Sequence, residues 1–249
     1  MNKLAKTTLQ VKALLYAHLL ERSHDSLLGL LWVLVNPLIM FLVHFFILKN
    51  IFTAKSNYAL YLFTGFMPWF FIKISHDMGV STLSYKLKAL KNLPFKACAY
   101  NFSSVLENYL YFLIIWSLGS LYFVVMGKVT LWSFLYSYLF HIPLILFTCA
   151  SVHLFSLLNV HLRDVKHILD FALKIMFLLT PILYFPSYLK DYQYLFYLNP
   201  FFHLLKPFHS LGAAEGSGLI TSFMTSFLMI IITFFFEKKL NRNLFHNAR

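Results

Sequence analysis

Residues 157–171 read LLNVHLRDVKHILDF and place His161, Arg163, Asp164, Lys166 and His167 within seven residues, between two runs that are almost free of charge. A charged interruption of that kind is either a short turn between two membrane spans or a surface that another chain must touch. Further ionisable residues stand inside apolar runs, where a charge costs about 2.5–3.5 kcal/mol at a helix centre and is functional by default. Lys73 and Asp77 are spaced i, i+4, as are Asp170 and Lys174, so each pair can meet on one helix face. Both pairs sit toward span ends, where self-neutralising, snorkelling pairs are the simplest reading. Glu107, near a span end, is expected to satisfy a neighbouring helix.

Enzymatic signatures fail. There is no GxxxxGK[ST], HExxH, GxSxG or CxxC in the sequence. None of the eleven histidines is spaced i, i+4 from another, so no metal site and no catalytic residue is assigned. Cys98 lies in a basic segment and Cys149 within an apolar run, which offers neither a disulfide nor metal spacing.

The elements that must carry these residues follow from composition. The chain is 59% hydrophobic and 12% charged with a mean hydropathy of +0.69, against about 25% charged for an average soluble domain. Apolar runs of the length needed to cross about 30 Å of hydrocarbon occur near 30–52, 58–80, 103–126, 131–158, 168–185 and 219–236. The expected fold is an all-α integral membrane protein of six spans in a single domain, 1–249. The fourth run is longer than one crossing needs and the fifth barely long enough, so a boundary between them is misplaced. Before the first span, Leu4, Val11, Leu14, Leu15 and Leu19 recur at helical spacing among Lys3, Lys6 and Lys12, as in an amphipathic helix lying on the membrane surface. The amino end shows no cleavable signal.

Lysine and arginine near span ends are retained on the cytoplasmic side. With the amino end inside, fourteen basic residues fall in inner segments and five in outer ones. Both termini are therefore expected in the cytoplasm, and the net charge of +12 is mostly orientation and contact with anionic lipid. Nucleic-acid binding would need an ordered basic face with stacking aromatics and is not expected.

Within the second span, Gly65 and Pro68 in FTGFMPWFF predict a bend. The segment SYKLKALKNLPFKACAY makes a second polar interruption on the inner side, broken by Pro94. Between spans five and six, the outer segment SYLKDYQYLFYLNPFFHLLKPFHSLGAAEGSG is rich in Leu, Phe and Tyr and divided by Pro200 and Pro207. It reads as a pair of short re-entrant or interfacial helices. Tyr184, Tyr188, Tyr192, Tyr194 and Tyr197 crowd that end, as an interfacial aromatic belt or as flat faces for sugar rings. On the first span Trp32, Asn36, Met40 and His44 share a face. On the fifth, Asp170, Lys174, Phe177, Pro181 and Tyr184 follow helical spacing.

Several of these stretches resemble one family. SLLGLLWVLVNPLIMFLVHFFILKNIF (26–52), the Gly65–Pro68–Trp69 set, LLNVHLRDVKHILDFALKIMFLLTPILYF with Arg163, Asp164, Pro181 and Tyr184, and Asn199–Pro200 are similar in order and spacing to permease subunits of bacterial ABC-2 type exporters of O-antigen, capsule-like polysaccharide or teichoic acid. Two departures stand out. Glu21, Arg22, Ser23, His24 and Asp25 replace a basic run, and Pro94 precedes Phe95 where relatives show the reverse order.

The resemblance implies a half-transporter in the bacterial inner membrane, moving a lipid-linked polysaccharide. Two copies would form the channel, and two separate P-loop ATPase subunits would dock beneath it and use ATP and magnesium, with no cofactor bound by this chain. ATPase-coupling contacts would come from Tyr85, Lys88, Lys91, Pro94 and Phe95 in the first inner loop and from His161, Arg163, Asp164 and Lys166 in the second. Channel-lining residues would be Trp32, Asn36, Met40, His44, Phe177, Pro181 and Tyr184. Two other functions stay open: a permease for drugs or small lipids, and an integral-membrane enzyme acting on lipid-linked sugars.

Overall fold

The computed structural model describes residues 3–24, 29–51, 57–90, 97–212 and 218–241. Among them every regular element is helical: α1 (Lys3–His24), α2 (Gly29–Leu48), α3 (Tyr58–Leu90), α4 (Ala97–Val125), α5 (Leu131–His161), α6 (Val165–Leu179), α7 (Pro200–His209) and α8 (Leu219–Asn241), with 3-10 stretches at Pro186–Tyr188, Lys190–Leu198 and Ser210–Gly212. Four of these, α2, α4, α5 and α8, are long and apolar enough to cross a membrane. The other two expected spans differ for physical reasons. α3 mixes Tyr58, Tyr61, Trp69, Lys73 and Asp77 into its apolar run. α6 has 15 residues, about 22 Å at 1.5 Å per residue, which is shorter than the hydrocarbon layer.

The expected fifth span, 168–185, is therefore corrected at both ends. α5 and α6 are separated by the turn 162–164, and α6 stops at Leu179. Pro181 has no N–H to continue the helix and excludes the α region from the residue before it. Thr180 is accordingly extended, with φ −91° and ψ 132°. By contrast α3 runs unbroken through Pro68.

Ending a helix here exposes carbonyls that need donors wherever water is scarce. α3 supplies them. Tyr58 Oη donates to the Leu183 carbonyl at 2.9 Å. Tyr61 Oη lies 2.5 Å from the Pro181 carbonyl and 2.8 Å from that of Tyr184, sharing its proton between them. From the other side, Asn199 Nδ2 donates to Thr180 Oγ1 at 2.8 Å, while its Oδ1 accepts the Phe201 N–H at 2.9 Å and so caps α7. Pro200 at the first helical position forfeits no bond. The Asn-Pro pair thus starts one helix and anchors the end of another.

α7 is seated against α3 by the same cluster. The His209 ring stacks on Tyr61 with centroids 4.2 Å apart and planes 13° apart, and its Nδ1 is 3.2 Å from Thr64 Oγ1. A Cβ on Gly65 would come within 2.6 Å of His209 Cε1 and 3.4 Å of Ile182 Cα. Glycine at 65 is what lets both segments approach α3.

The centre of the bundle is aromatic. Trp116 on α4 is fully buried, donates to Ser137 Oγ at 3.1 Å and packs against Phe63, Phe112, His141 and Phe208. Helices close on small residues, as expected where burial of apolar surface gives no drive between helices. Gly79 faces Val152 and Gly119 faces Phe63 too closely for a Cβ. α8 is joined to α5 by Ser226 and Thr233, whose hydroxyls donate to the Pro143 and Ala150 carbonyls at 2.7 and 3.0 Å.

α1 shows the periodicity read from its sequence. Val11, Leu14, Leu15, His18 and Leu19 turn inward while Lys12 and Tyr16 are exposed, and Leu14 packs with Leu83, Tyr100 and Leu157. Its end is held by Glu107 of α4, which is buried, pairs with Arg22 at 2.9 Å and lies 3.5 Å from His18. Glu107 thus satisfies a neighbouring helix, as its position suggested.

Replacing Tyr61 with Phe leaves two carbonyls without a donor and is expected to destabilise the chain by about 1–3 kcal/mol. Tyr184→Phe, which removes a bond from an exposed hydroxyl to the Leu178 carbonyl, is expected to cost less. Thermal unfolding of the detergent-solubilised variants checks the order; equal shifts would contradict the role given to Tyr61.

Candidate functional site

A cavity of about 510 Å³ opens between α2, α3 and α6. From α2 it receives Asn36, Met40 and His44, and from α6 Leu173, Lys174 and Phe177. α3 forms the wall between them with Phe66, Trp69, Phe70, Lys73 and Asp77. The helical spacing explains the α2 set, since residues four apart share a face. His44 holds its ring against Phe66 at 5.2 Å and Phe177 at 6.1 Å, with Nδ1 2.7 Å from the Met40 carbonyl.

Of the seven residues assigned to a passage, Asn36, Met40, His44 and Phe177 meet at this cavity. Trp32 does not line it and is 56% exposed. Pro181 and Tyr184 lie beyond the end of α6, so the stripe from Asp170 to Tyr184 does not continue as one helix face. Their carbonyls are instead occupied by Tyr61.

At one end of the cavity is a charged cluster that joins α3 to α6. Lys73 pairs with Asp77 as spacing suggested. Asp170, however, pairs with Lys166 at 2.7 Å rather than with Lys174. The reason is a third partner: Lys166 Nζ also lies 3.3 Å from Asp77 Oδ1, so pairing backward along α6 lets one ammonium serve two carboxylates. Lys174 is exposed toward the cavity, without an ion-pair partner among the described residues.

The turn that opened the sequence question is Leu162–Arg163–Asp164, and all three residues are exposed. Arg163 and Asp164 make no ion pair among the described residues. Asp164 stands at the N-cap of α6 in the helical region, φ −74° and ψ −14°, and its side chain makes no capping bond. The capping acceptor comes from elsewhere. Asn159 Oδ1 accepts the Lys166 N–H at 3.1 Å, while Asn159 Nδ2 donates to the Val80 carbonyl at 3.3 Å.

One buried side chain therefore ties the end of α5, the start of α6 and α3 together. Sequence reasoning passed over Asn159; the signal was an asparagine set in the apolar LLNV, where a polar amide must find partners. His161 keeps Nδ1 at 2.9 Å from the Leu157 carbonyl of its own helix. Tyr85 and Lys88 fall in the last turns of α3, whereas Lys91, Pro94 and Phe95 lie outside the described residues.

Among the described residues no group of His, Cys, Asp and Glu is arranged to hold a metal ion. What the arrangement offers is a half-open slot of aliphatic and aromatic side chains with five polar ones, Asn36, His44, Lys73, Asp77 and Lys174, beside an ion-paired joint and an exposed charged turn.

Comparison with known proteins bears on the same elements. Residues 9–211 match the family described as ABC-2 type transporter, a span from α1 through the 3-10 turn after α7. The chain is 25% identical over 217 residues to a Klebsiella pneumoniae O-antigen export system permease protein RfbA, covering 85% of this chain and 84% of that one. A second Klebsiella pneumoniae protein of the same name is 27% identical over 182 residues, with 72% and 70% covered. A Myxococcus xanthus protein of that name is 26% identical over 219 residues, with 85% and 84% covered. With the match running through the cavity helices and the charged turn alike, the chain belongs to the ABC-2 type transporter family and is its membrane-embedded permease component.

Proposed function

We propose that this chain is the membrane subunit of an ATP-driven exporter that moves a lipid-linked polysaccharide of the O-antigen class across the bacterial inner membrane. The observation that carries the reading is the cavity at which the polar stripe of α2 meets Phe177 of α6. Relatives named as O-antigen export permeases support the choice of substrate. Flat rings and side-chain amides along such a wall suit sugar, which presents both apolar ring faces and hydroxyl groups.

On this reading two copies assemble, so that α2 and α6 of each face a shared passage, and two separate ATPase subunits dock beneath. α3, and α6 together with the extended segment after it, complete a six-crossing plan with α2, α4, α5 and α8; α1 lies at the inner surface, and α7 with the preceding 3-10 stretch forms a re-entrant outer pair. The fourteen-to-five distribution of basic residues puts both termini in the cytoplasm. The ATPase then meets the turn at Arg163 and Asp164 and the segment from Tyr85 through Lys88, Lys91, Pro94 and Phe95, with His161 and Lys166 behind the turn. Trp32, Pro181 and Tyr184 extend the passage beyond the cavity.

Three outcomes follow. A carboxy-terminal tag is expected to resist added protease in sealed right-side-out cells, and its cleavage would reverse the orientation. Arg163→Glu is expected to leave the protein inserted and its ATPase copurifying, while export per ATP hydrolysed falls by about 5- to 150-fold, the span of typical coupling energies; unaltered export would remove the turn from the coupling path. Met40→Trp is expected to block export while Met40→Ala preserves it, read as surface polymer in a strain deleted for the native chain. Normal export by the tryptophan variant would mean that the polymer passes elsewhere.

A further inference from the structure

The turn between α5 and α6 is built without the cap that its own sequence offers. The chain reverses in three residues: the Leu162 N–H donates to the Leu158 carbonyl at 2.8 Å and the Val165 N–H to the Leu162 carbonyl at 3.1 Å. The first N–H groups of a helix have no acceptor within it. An N-cap side chain ordinarily takes one from the second or third helical residue, and does so from extended backbone. Asp164, the N-cap of α6, does neither: its backbone stays in the helical region, its carboxylate makes no capping bond and the residue is exposed.

The second residue of α6, Lys166, donates its N–H instead to Asn159 Oδ1 at 3.1 Å, seven residues back on α5. Asn159 is 5% exposed, and its Nδ2 donates to the Val80 carbonyl of α3 at 3.3 Å. One turn before Val80, Asp77 accepts from the Lys166 ammonium at 3.3 Å. Lys166 is thus held to one face of α3 twice, by its side chain directly and by its N–H through Asn159. The Val80 carbonyl lies inside α3 and has its own helical donor, so that bond adds position, whereas the Lys166 N–H is the group that needs Asn159.

We infer that Asn159 is a positioning residue for coupling: by capping α6 from α5 it keeps Asp164 in helical backbone and leaves that carboxylate, beside Arg163, turned outward for the ATPase. The inference rests on the proposed docking of the ATPase at this turn and adds the residue that sets the turn's shape. Without the Asn159 oxygen, the acceptor on hand for the Lys166 N–H is the Asp164 carboxylate. Taking that bond moves Asp164 to extended backbone, draws its charge inward and re-aims Arg163. The helix keeps a cap, and the turn loses its shape.

The test has two parts. In the detergent-solubilised full chain, Asp164→Ala is expected to leave the melting temperature unchanged, because no capping bond is lost. In an Asn159→Ala background the same change is expected to lower it by about 2–4 °C, the loss of an N-cap in a chain of this size. Equal shifts in the two backgrounds overturn the inference. In the complex with its copurified ATPase, Asn159→Ala is expected to retain insertion and ATP hydrolysis while export per ATP hydrolysed, read from surface polymer in a deletion strain, falls by about fivefold or more. Asn159→Asp, which is isosteric and keeps an acceptor for the Lys166 N–H, is expected to preserve that ratio. Unaltered export in Asn159→Ala, or an equal loss in both variants, overturns the role, as does failure of Asn159→Ala to accumulate, which would make Asn159 a folding residue only. Copurification of the ATPase with the unaltered chain judges the docking reading on its own, and the melting comparison needs no ATPase, so that reading and this role can fail separately.

Discussion

A backbone group cut off from water must find its partner within the protein, and the arrangement around α6 is organised by that constraint. α6 ends at Leu179 because Pro181 cannot continue it, and the next carbonyls lose their helical donors. Tyr58 and Tyr61 supply the donors that the helix no longer can, and Asn199 holds the Thr180 hydroxyl. Gly65 then has to be glycine, because the captured segment and His209 both lie against its α-carbon. The seating of α7 against α3 therefore follows from one proline.

Side-chain charge obeys the same rule with a different solution. Glu107 is buried and spends its charge on Arg22 and His18, which fastens α1 to α4. Asp77 and Asp170 share Lys166, which fastens α3 to α6. In each case an acid on one helix helps to fix the position of another, and at the buried Glu107 removing Arg22 would leave a charge unpaired at a cost above the worth of the pair. Lys174 is outside this pattern. Its charge is turned to the cavity.

α6 connects the two parts of the candidate site. Its first turn is held by Asn159 and by the side chain of Lys166, and its middle carries Leu173, Lys174 and Phe177 into the cavity. The exposed turn at Arg163 and Asp164 adjoins the same first turn. The segment after its far end is held in turn by Tyr58 and Tyr61, and α5 packs closely against α3 through Gly79 and Val152.

The sequence alone determined the helical class, the apolar runs, the amphipathic face of α1 and the shared face of Asn36, Met40 and His44, because each depends only on the 3.6-residue period and on residue polarity. It also marked the charged turn, since charges between apolar runs are visible without coordinates. Where α6 stops was legible in Pro181 but was overridden by the apolar ILYF that follows, which reads as more span. Which lysine Asp170 takes was not legible at all. Lys166 and Lys174 are equally spaced from it along the helix, and the choice was made by Asp77, a residue 93 positions away from Asp170 in the numbering. The partners of Asn159 and Tyr61 were hidden for the same reason. Periodicity fixes which side of a helix a residue occupies, whereas hydrogen-bond partners between helices depend on their relative height and rotation, and only the packed tertiary structure sets those.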